Sequence, residues 1–194
     1  MIEQALTLKN YSFKTKMTCK TIVSVVVIAL ALALPQIVHM ALGQPGGVKW
    51  LPMYLPVLLG GCLLGVKWGF AVGVLSPLVS FFITSTMGSP MPMAARLPYM
   101  MAELAVFAVV SGLFSNKIAK NGLWAFPAVI LAQIAGRASF FGLIAATQSL
   151  TKLKTAMIWG QIKTGLVGLG VQAVAAPITV ILLKKLMIKS DAND

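Results

Sequence analysis

Apolar residues run almost unbroken through six stretches of this chain, at about 21–42, 51–66, 69–84, 95–114, 123–147 and 157–186. Stretches of that length and apolarity are what an α-helix needs to cross a bilayer. The pattern therefore predicts an all-α integral membrane protein with six transmembrane helices. The connections carry turn chemistry. Gln44-Pro45-Gly46-Gly47 predicts an outer turn after the first span, and Lys67-Trp68-Gly69 a very tight inner one between the second and third. The outer segment 85–93 cannot be helical throughout, because Pro90 and Pro92 lie close together. An inner loop over 115–122, an outer loop rich in Thr and Lys after 147 and a polar tail over 190–194 complete the outline. The second and third stretches are short, about 16 residues each, and contain Pro56 and Pro77. Such helices must kink, or must rely on neighbours to satisfy the carbonyls that proline leaves free.

Basic residues follow the same segmentation. Lys9, Lys14, Lys16 and Lys20 precede the first stretch, Lys67 follows the second, Lys117 and Lys120 follow the fourth, and Lys184, Lys185 and Lys189 follow the sixth. The alternate connections hold only Lys49, Arg96, Lys152 and Lys154. Basic residues resist translocation, so this alternation predicts both termini on the cytoplasmic side, with a cytoplasmic N-terminal segment of about 1–20. Because 1–20 carries Glu3 and four lysines ahead of a full-length span, it is not expected to be a cleaved signal. The whole of 1–194 is expected to form a single six-helix domain without internal repeat.

Composition agrees: 58% of residues are hydrophobic, 10% are charged, and the mean hydropathy is +0.89. The net charge of +12 would suggest nucleic acid in a soluble protein. Here topology explains it, no basic patch is interleaved with aromatics, and anionic lipid headgroups are the expected contact. Cys19 and Cys62 both fall toward the reducing side without a metal-ligand spacing and are expected to be structural thiols.

Four ionisable residues lie within spans or at their mouths: Arg96, Glu103, Arg137 and Lys163. A charge facing lipid costs several kcal/mol, so each is expected to face the bundle interior or a water-filled cavity. Arg96 and Glu103 are seven residues apart and share a helix face. At about 1.5 Å per residue, Glu103 lies roughly 10 Å below the outer mouth and Arg137 roughly 15 Å, close enough to pair. That pair either fixes helix packing or, with Arg96 and Lys163, lines an outward-opening pocket whose excess of cations favours an anionic ligand. Lys163 could instead snorkel to the headgroups. His39, Trp50 and Tyr54 sit near the same end, His39 as a ligand contact or a packing residue. Gln133 stands one turn before Arg137, and Gln161 near the sixth span's outer end joins the group. Met53, Met87, Met91, Met93, Met100 and Met101 cluster at the outer loops and mouths, where methionine suits either a closing lid or a lipid-facing filler.

Nothing in the sequence assembles catalysis. No span contains Asp for a Ser-His-Asp arrangement, and His39 has no partner at metal-ligand spacing. No phosphate-cradling glycine loop is present, so ATP hydrolysis is not expected of the chain itself and neither metal nor cofactor is predicted. Energy for any active transport must come from a partner or an ion gradient. In the first span, Ala29 and Ala33 lie one turn apart and form a flat strip where another helix can approach, from inside the bundle or from outside it.

With that strip the chain resembles the substrate-binding S-component of energy-coupling factor (ECF) vitamin transporters. The resemblance covers most of the chain. Its strongest part is Leu51-Pro52-Met53-Tyr54-Leu55-Pro56-Val57-Leu58-Leu59-Gly60-Gly61, followed by Gly73-Val74-Leu75-Ser76-Pro77-Leu78-Val79-Ser80-Phe81. Met100-Met101-Ala102-Glu103-Leu104-Ala105-Val106-Phe107 and Ala135-Gly136-Arg137 complete it. The resemblance implies a prokaryotic plasma-membrane protein that captures a vitamin from outside with high affinity. It also implies docking through Ala29 and Ala33 onto a membrane coupling protein carrying two ATPase subunits, with outer loops gating the pocket. Arg96, Arg137 and Lys163 suit a carboxylate, so pantothenate is the first choice of vitamin and cobalamin or a precursor the second. A stand-alone secondary transporter or channel is the competing reading. It would be expected to show two related halves with paired discontinuous helices, and no such symmetry is evident.

Overall fold

The computed structural model describes residues 12–149 and 155–191, and six helical segments in it are long and apolar enough to cross a bilayer: Phe13–Gly43, Gly46–Leu64, Val66–Thr86, Ala94–Leu113, Gly122–Thr147 and Trp159–Leu186. Its helices are α1 (Phe13–Trp50), α2 (Tyr54–Leu64), α3 (Val66–Thr86), α4 (Leu97–Leu113), α5 (Ser115–Lys120), α6 (Ala125–Thr147) and α7 (Thr155–Asp191). Among the described residues there is no strand, so the all-α, six-span architecture holds. Glu3, Lys9, Lys152, Lys154 and the end of the polar tail lie outside the described residues.

The second span begins earlier than the sequence pattern indicates. The turn after the first span is concentrated at Gly43, whose φ of 67° and ψ of −172° interrupt α1. Glycine reaches that backbone region without a Cβ clash. Helix then resumes and breaks again at Leu51, a left-handed residue with φ 48°, before α2 starts at Tyr54. The span Gly46–Leu64 is therefore two helical pieces joined by a non-helical step.

Inside a bilayer such a step is tolerated only where protein groups satisfy the freed backbone. Gln172 of α7 does this. Its Nε2 donates to the carbonyls of Trp50 and Leu51, both at 2.9 Å, and the Leu51 carbonyl also accepts from the Tyr54 N–H at 3.0 Å. Gly165 and Gly168 let α7 come this close. A Cβ on Gly168 would stand 2.5 Å from the Lys49 carbonyl oxygen, and one on Gly165 would stand 2.9 Å from Leu51. Residues 165, 168 and 172 share one helix face by their spacing.

The tight inner turn also sits elsewhere. Gly65 alone, at φ 82°, separates α2 from α3, and Lys67, Trp68 and Gly69 belong to α3. Gly69 is used for packing instead. With Gly61 and Gly73 it lets α2 and α3 lie directly against α4: a Cβ on Gly73 would come within 2.5 Å of the Leu104 carbonyl oxygen and 2.8 Å of Ala105 Cα. Close approach through small residues is how helices gain contact where lipid is as apolar as leucine. As a result α4 packs on α2, α3 and α6, and α2 is the most enclosed element. In the second span, 56% of the most apolar stretch is buried, against 22–39% in the other five.

Pro77 is accommodated inside α3, which continues through Thr86, so the outer loop is shorter than its expected 85–93. The inner loop at 115–122 contains the short helix α5. On α1, Val27 and Ala31 turn into the bundle, whereas Ala29 and Ala33 are exposed along a stripe with Ile22, Val26 and Ile37. The alanine strip thus does not serve packing within this chain.

Replacing Gln172 by Leu removes the side-chain donor at the break. The variant is expected to lose about 1–3 kcal/mol of stability, read as a lower melting temperature of the detergent-purified protein. An unchanged melting temperature would show that the break holds without it.

Candidate functional site

A cavity of about 490 Å³ lies at the end of the bundle that the lysine distribution assigns to the outside. The broken second span shapes its floor, because the step at 51–53 places Tyr54 at the head of α2 instead of midway along a continuous helix. The outer loop roofs it. There Ser80 Oγ donates to the Met91 carbonyl at 2.8 Å, and the Met91 N–H donates to Thr84 Oγ1 at 2.7 Å, so two side chains of α3 hold one loop residue through both its backbone groups.

Behind the wall, Glu103 of α4 is completely buried. Its Oε2 accepts from the Tyr54 hydroxyl at 2.6 Å, and its Oε1 lies 3.1 Å from Arg137 Nη1. The Arg137 guanidinium carbon stands 4.9 Å from the centre of the Tyr54 ring, a cation–π contact, and that ring packs on Phe107 at 5.0 Å. Gly136 makes room for Phe107, since a Cβ there would be 3.1 Å from it. The pairing expected from depth alone is therefore present, with Tyr54 as its third member.

The arrangement leaves one side of Arg137 unused. Nε and Nη2 are buried and have no hydrogen-bond partner among the described residues, while Arg137 lines the cavity. The hydrogens of Nε and Nη2 lie on the same edge of the guanidinium plane, parallel and spaced for two oxygens of one carboxylate or similar group. His39 Nδ1 is likewise buried without a partner in the cavity wall. Buried donors and acceptors are almost always satisfied, so unfilled ones grouped around a cavity make it the candidate place for an outside group.

The remaining sequence candidates divide. His39, Tyr54, Arg96, Arg137 and Gln161 line the cavity, and Glu103 acts through Tyr54 and Arg137. Met53, Met91, Met93 and Met100 are in the wall, but Met87 and Met101 are not. Trp50 is half-buried outside the wall, with Lys49 Nζ 5.9 Å from its ring centre. Gln133 is buried one turn from Arg137, yet its Nε2 donates to the Leu169 carbonyl at 3.1 Å and ties α6 to α7. Lys163 is exposed with its ammonium 5.6 Å from the Trp159 ring centre, outside the cavity, so the snorkelling alternative describes it. The cations at the cavity are then Arg96 and Arg137 against Glu103, two against one rather than three against one. Gln172, Ser80 and Thr84 were not singled out from the sequence. Their one signal is being polar within otherwise apolar helices.

A family model described as "ECF transporter, substrate-specific component" matches residues 20–180. No curated protein and no solved structure matches the chain.

Removing one partner of a buried ion pair leaves an uncompensated charge, whereas replacing both with apolar groups of similar size does not. Glu103→Ala is expected to cost about 3–5 kcal/mol, and the double variant Glu103→Leu, Arg137→Met far less. Thermal unfolding of the purified variants checks this, and a double variant as unstable as the single one would make the pair part of the scaffold.

Proposed function

The chain belongs to the family of ECF transporter substrate-specific components, and from that membership we propose that it is the high-affinity substrate-binding subunit of an importer for a water-soluble vitamin, with pantothenate as its cargo. Members of the family are substrate-binding transporter subunits and not enzymes, and this one is a multi-pass membrane protein. Residence in a prokaryotic plasma membrane with both termini inside, as one six-helix domain over 1–194, belongs to the same proposal.

The observation that carries the choice of cargo is the unfilled Nε–Nη2 edge of Arg137 beside the cavity. Pantothenate ends in a carboxylate that such an edge grips through two charge-assisted hydrogen bonds. Arg96 in the same wall adds a second positive charge. His39, Gln161 and Ser80 offer partners for the amide and hydroxyl groups, and the wall methionines adapt to the gem-dimethyl carbon. The volume of about 490 Å³ falls within the range of about 300–1,000 Å³ usual for small-molecule sites. Cobalamin or a precursor ranks second, because a corrin ring is too large for this volume and would sit mostly outside it. Gln133, outside the wall, steadies the site by tying α6 to α7, and Trp50 and Lys163 lie away from the cavity.

On the exterior of α1, Ala29 and Ala33 are exposed and small, which suits close approach by a helix of the membrane coupling protein. Two ATPase subunits on that partner would supply the energy.

In a thermal-shift or calorimetric panel, pantothenate is expected to give saturable stabilisation at submicromolar concentration. Its alcohol analogue panthenol, lacking the carboxylate, is expected to give none. Arg137→Ala is expected to weaken binding about 100-fold or more through the loss of two charge-assisted hydrogen bonds. Equal binding of acid and alcohol, or wild-type affinity in a folded Arg137→Ala variant, would overturn the choice of cargo. Separately, Ala29→Trp with Ala33→Trp is expected to abolish uptake while leaving binding intact. Loss of binding in that variant would overturn the docking role.

A further inference from the structure

The opposite end of the bundle holds a second concavity, unrelated to the cargo site. A pocket of about 250 Å³ opens between residues 121–123 and the last turns of α7. Gly122 allows the two segments to meet, since a Cβ there would stand 3.1 Å from Ile181 Cγ1. Leu123 and Ile181 give the pocket apolar sides, and Lys184 and Lys185 line it. Lys184 Nζ donates to the Lys120 carbonyl at 3.0 Å, which holds its ammonium at the seam. Nearby, Lys117 Nζ rests 4.6 Å from the Trp124 ring centre and 5.5 Å from that of Phe114.

Four lysines therefore gather at one end of the molecule, and none takes part in an ion pair among the described residues. Beside them the surface turns apolar: Leu123, Ile178 and Leu182 are exposed, and Ile178 and Leu182 precede the lysines on α7, on the side of the membrane interior. Cationic groups above an apolar wall match one kind of molecule in the bilayer, an anionic phospholipid. Its phosphate meets the ammonium groups while an acyl chain covers the leucines. A free anion would leave the apolar wall uncovered, and a zwitterionic lipid would bring its own cation to the lysines.

We propose that the seam between residues 121–123 and α7 is a binding site for an anionic phospholipid, with its phosphate held by Lys184 and Lys185 and an acyl chain lying against Leu123, Ile178 and Leu182. Basic pockets between helices at the cytoplasmic face have the chemistry such headgroups require. The lysine distribution assigns this end to that face.

The test titrates the full-length protein in detergent with phosphatidylglycerol, phosphatidylcholine or inorganic phosphate and follows the melting temperature. Phosphatidylglycerol is expected to raise it saturably, and neither of the others to match that rise. In the double variant Lys184→Gln, Lys185→Gln the apparent affinity for phosphatidylglycerol is expected to fall by about tenfold or more, with the melting temperature in phosphatidylcholine unchanged. If that variant proves unstable, Lys184→Arg with Lys185→Arg is expected to keep the response. Equal shifts with both lipids would overturn the site and leave the lysines to an acidic face of a protein partner. So would a shift reproduced by phosphate alone, an undiminished response in the Gln variant, or a lost response in the Arg variant.

Discussion

A broken helix inside a bilayer exposes carbonyls that no water can satisfy, and this bundle is arranged around one such break. The step at 51–53 is held by the amide of Gln172, which reaches it because Gly165 and Gly168 carry no side chain in the way. Because the helix restarts there, Tyr54 heads α2 at the level of Glu103, and its hydroxyl donates to that carboxylate. Glu103 in turn holds one side of Arg137. A backbone interruption that looks like a defect thus positions the only buried cation–carboxylate pair among the described residues.

The pair is a compromise between two demands. A lone arginine at that depth would be costly, so Glu103 neutralises it and Tyr54 shields it with a ring face. Full satisfaction would leave nothing for a ligand. Only Nη1 is engaged by the carboxylate, and the Nε–Nη2 edge stays free. The charge is thereby made tolerable without being saturated, which is what the proposed grip on a carboxylate requires. The rigid glycine-mediated contacts of α4 with α2 and α3 keep this geometry from relaxing.

The two ends of the molecule handle positive charge in opposite ways. At the cavity end, arginine is buried, oriented and partly paired. At the basic end, lysines sit at the surface, steadied by a carbonyl and by aromatic rings. The first arrangement offers a fixed geometry and the second little beyond the sign of the charge, which accords with the small solute and the lipid proposed for them.

Much of this was legible in the residues. The lengths of the apolar stretches determine six spans, since a bilayer sets a minimum helix length whatever the neighbours do. The depth of Glu103 and Arg137 follows from counting residues along helices of constant rise, and two opposite charges at one depth in lipid have strong reason to meet. What tertiary structure decided is where helices break, how they turn about their axes, and which polar groups a neighbour consumes. The pattern puts the second span at 51–66 because glycine and proline at 44–47 read as loop, whereas helix resumes there and breaks later, at a step whose carbonyls a distant glutamine on α7 satisfies. Lys163 counts as a pocket residue by depth but turns outward, because a long side chain near a helix end gains more from water than from a bundle. Gln133 lies one turn from Arg137 yet spends its amide on the Leu169 carbonyl. Span number and residue depth are properties of a single helix in a bilayer, so one sequence carries them. Facing and hydrogen-bond partners are properties of pairs of helices, and they exist only once the bundle has closed.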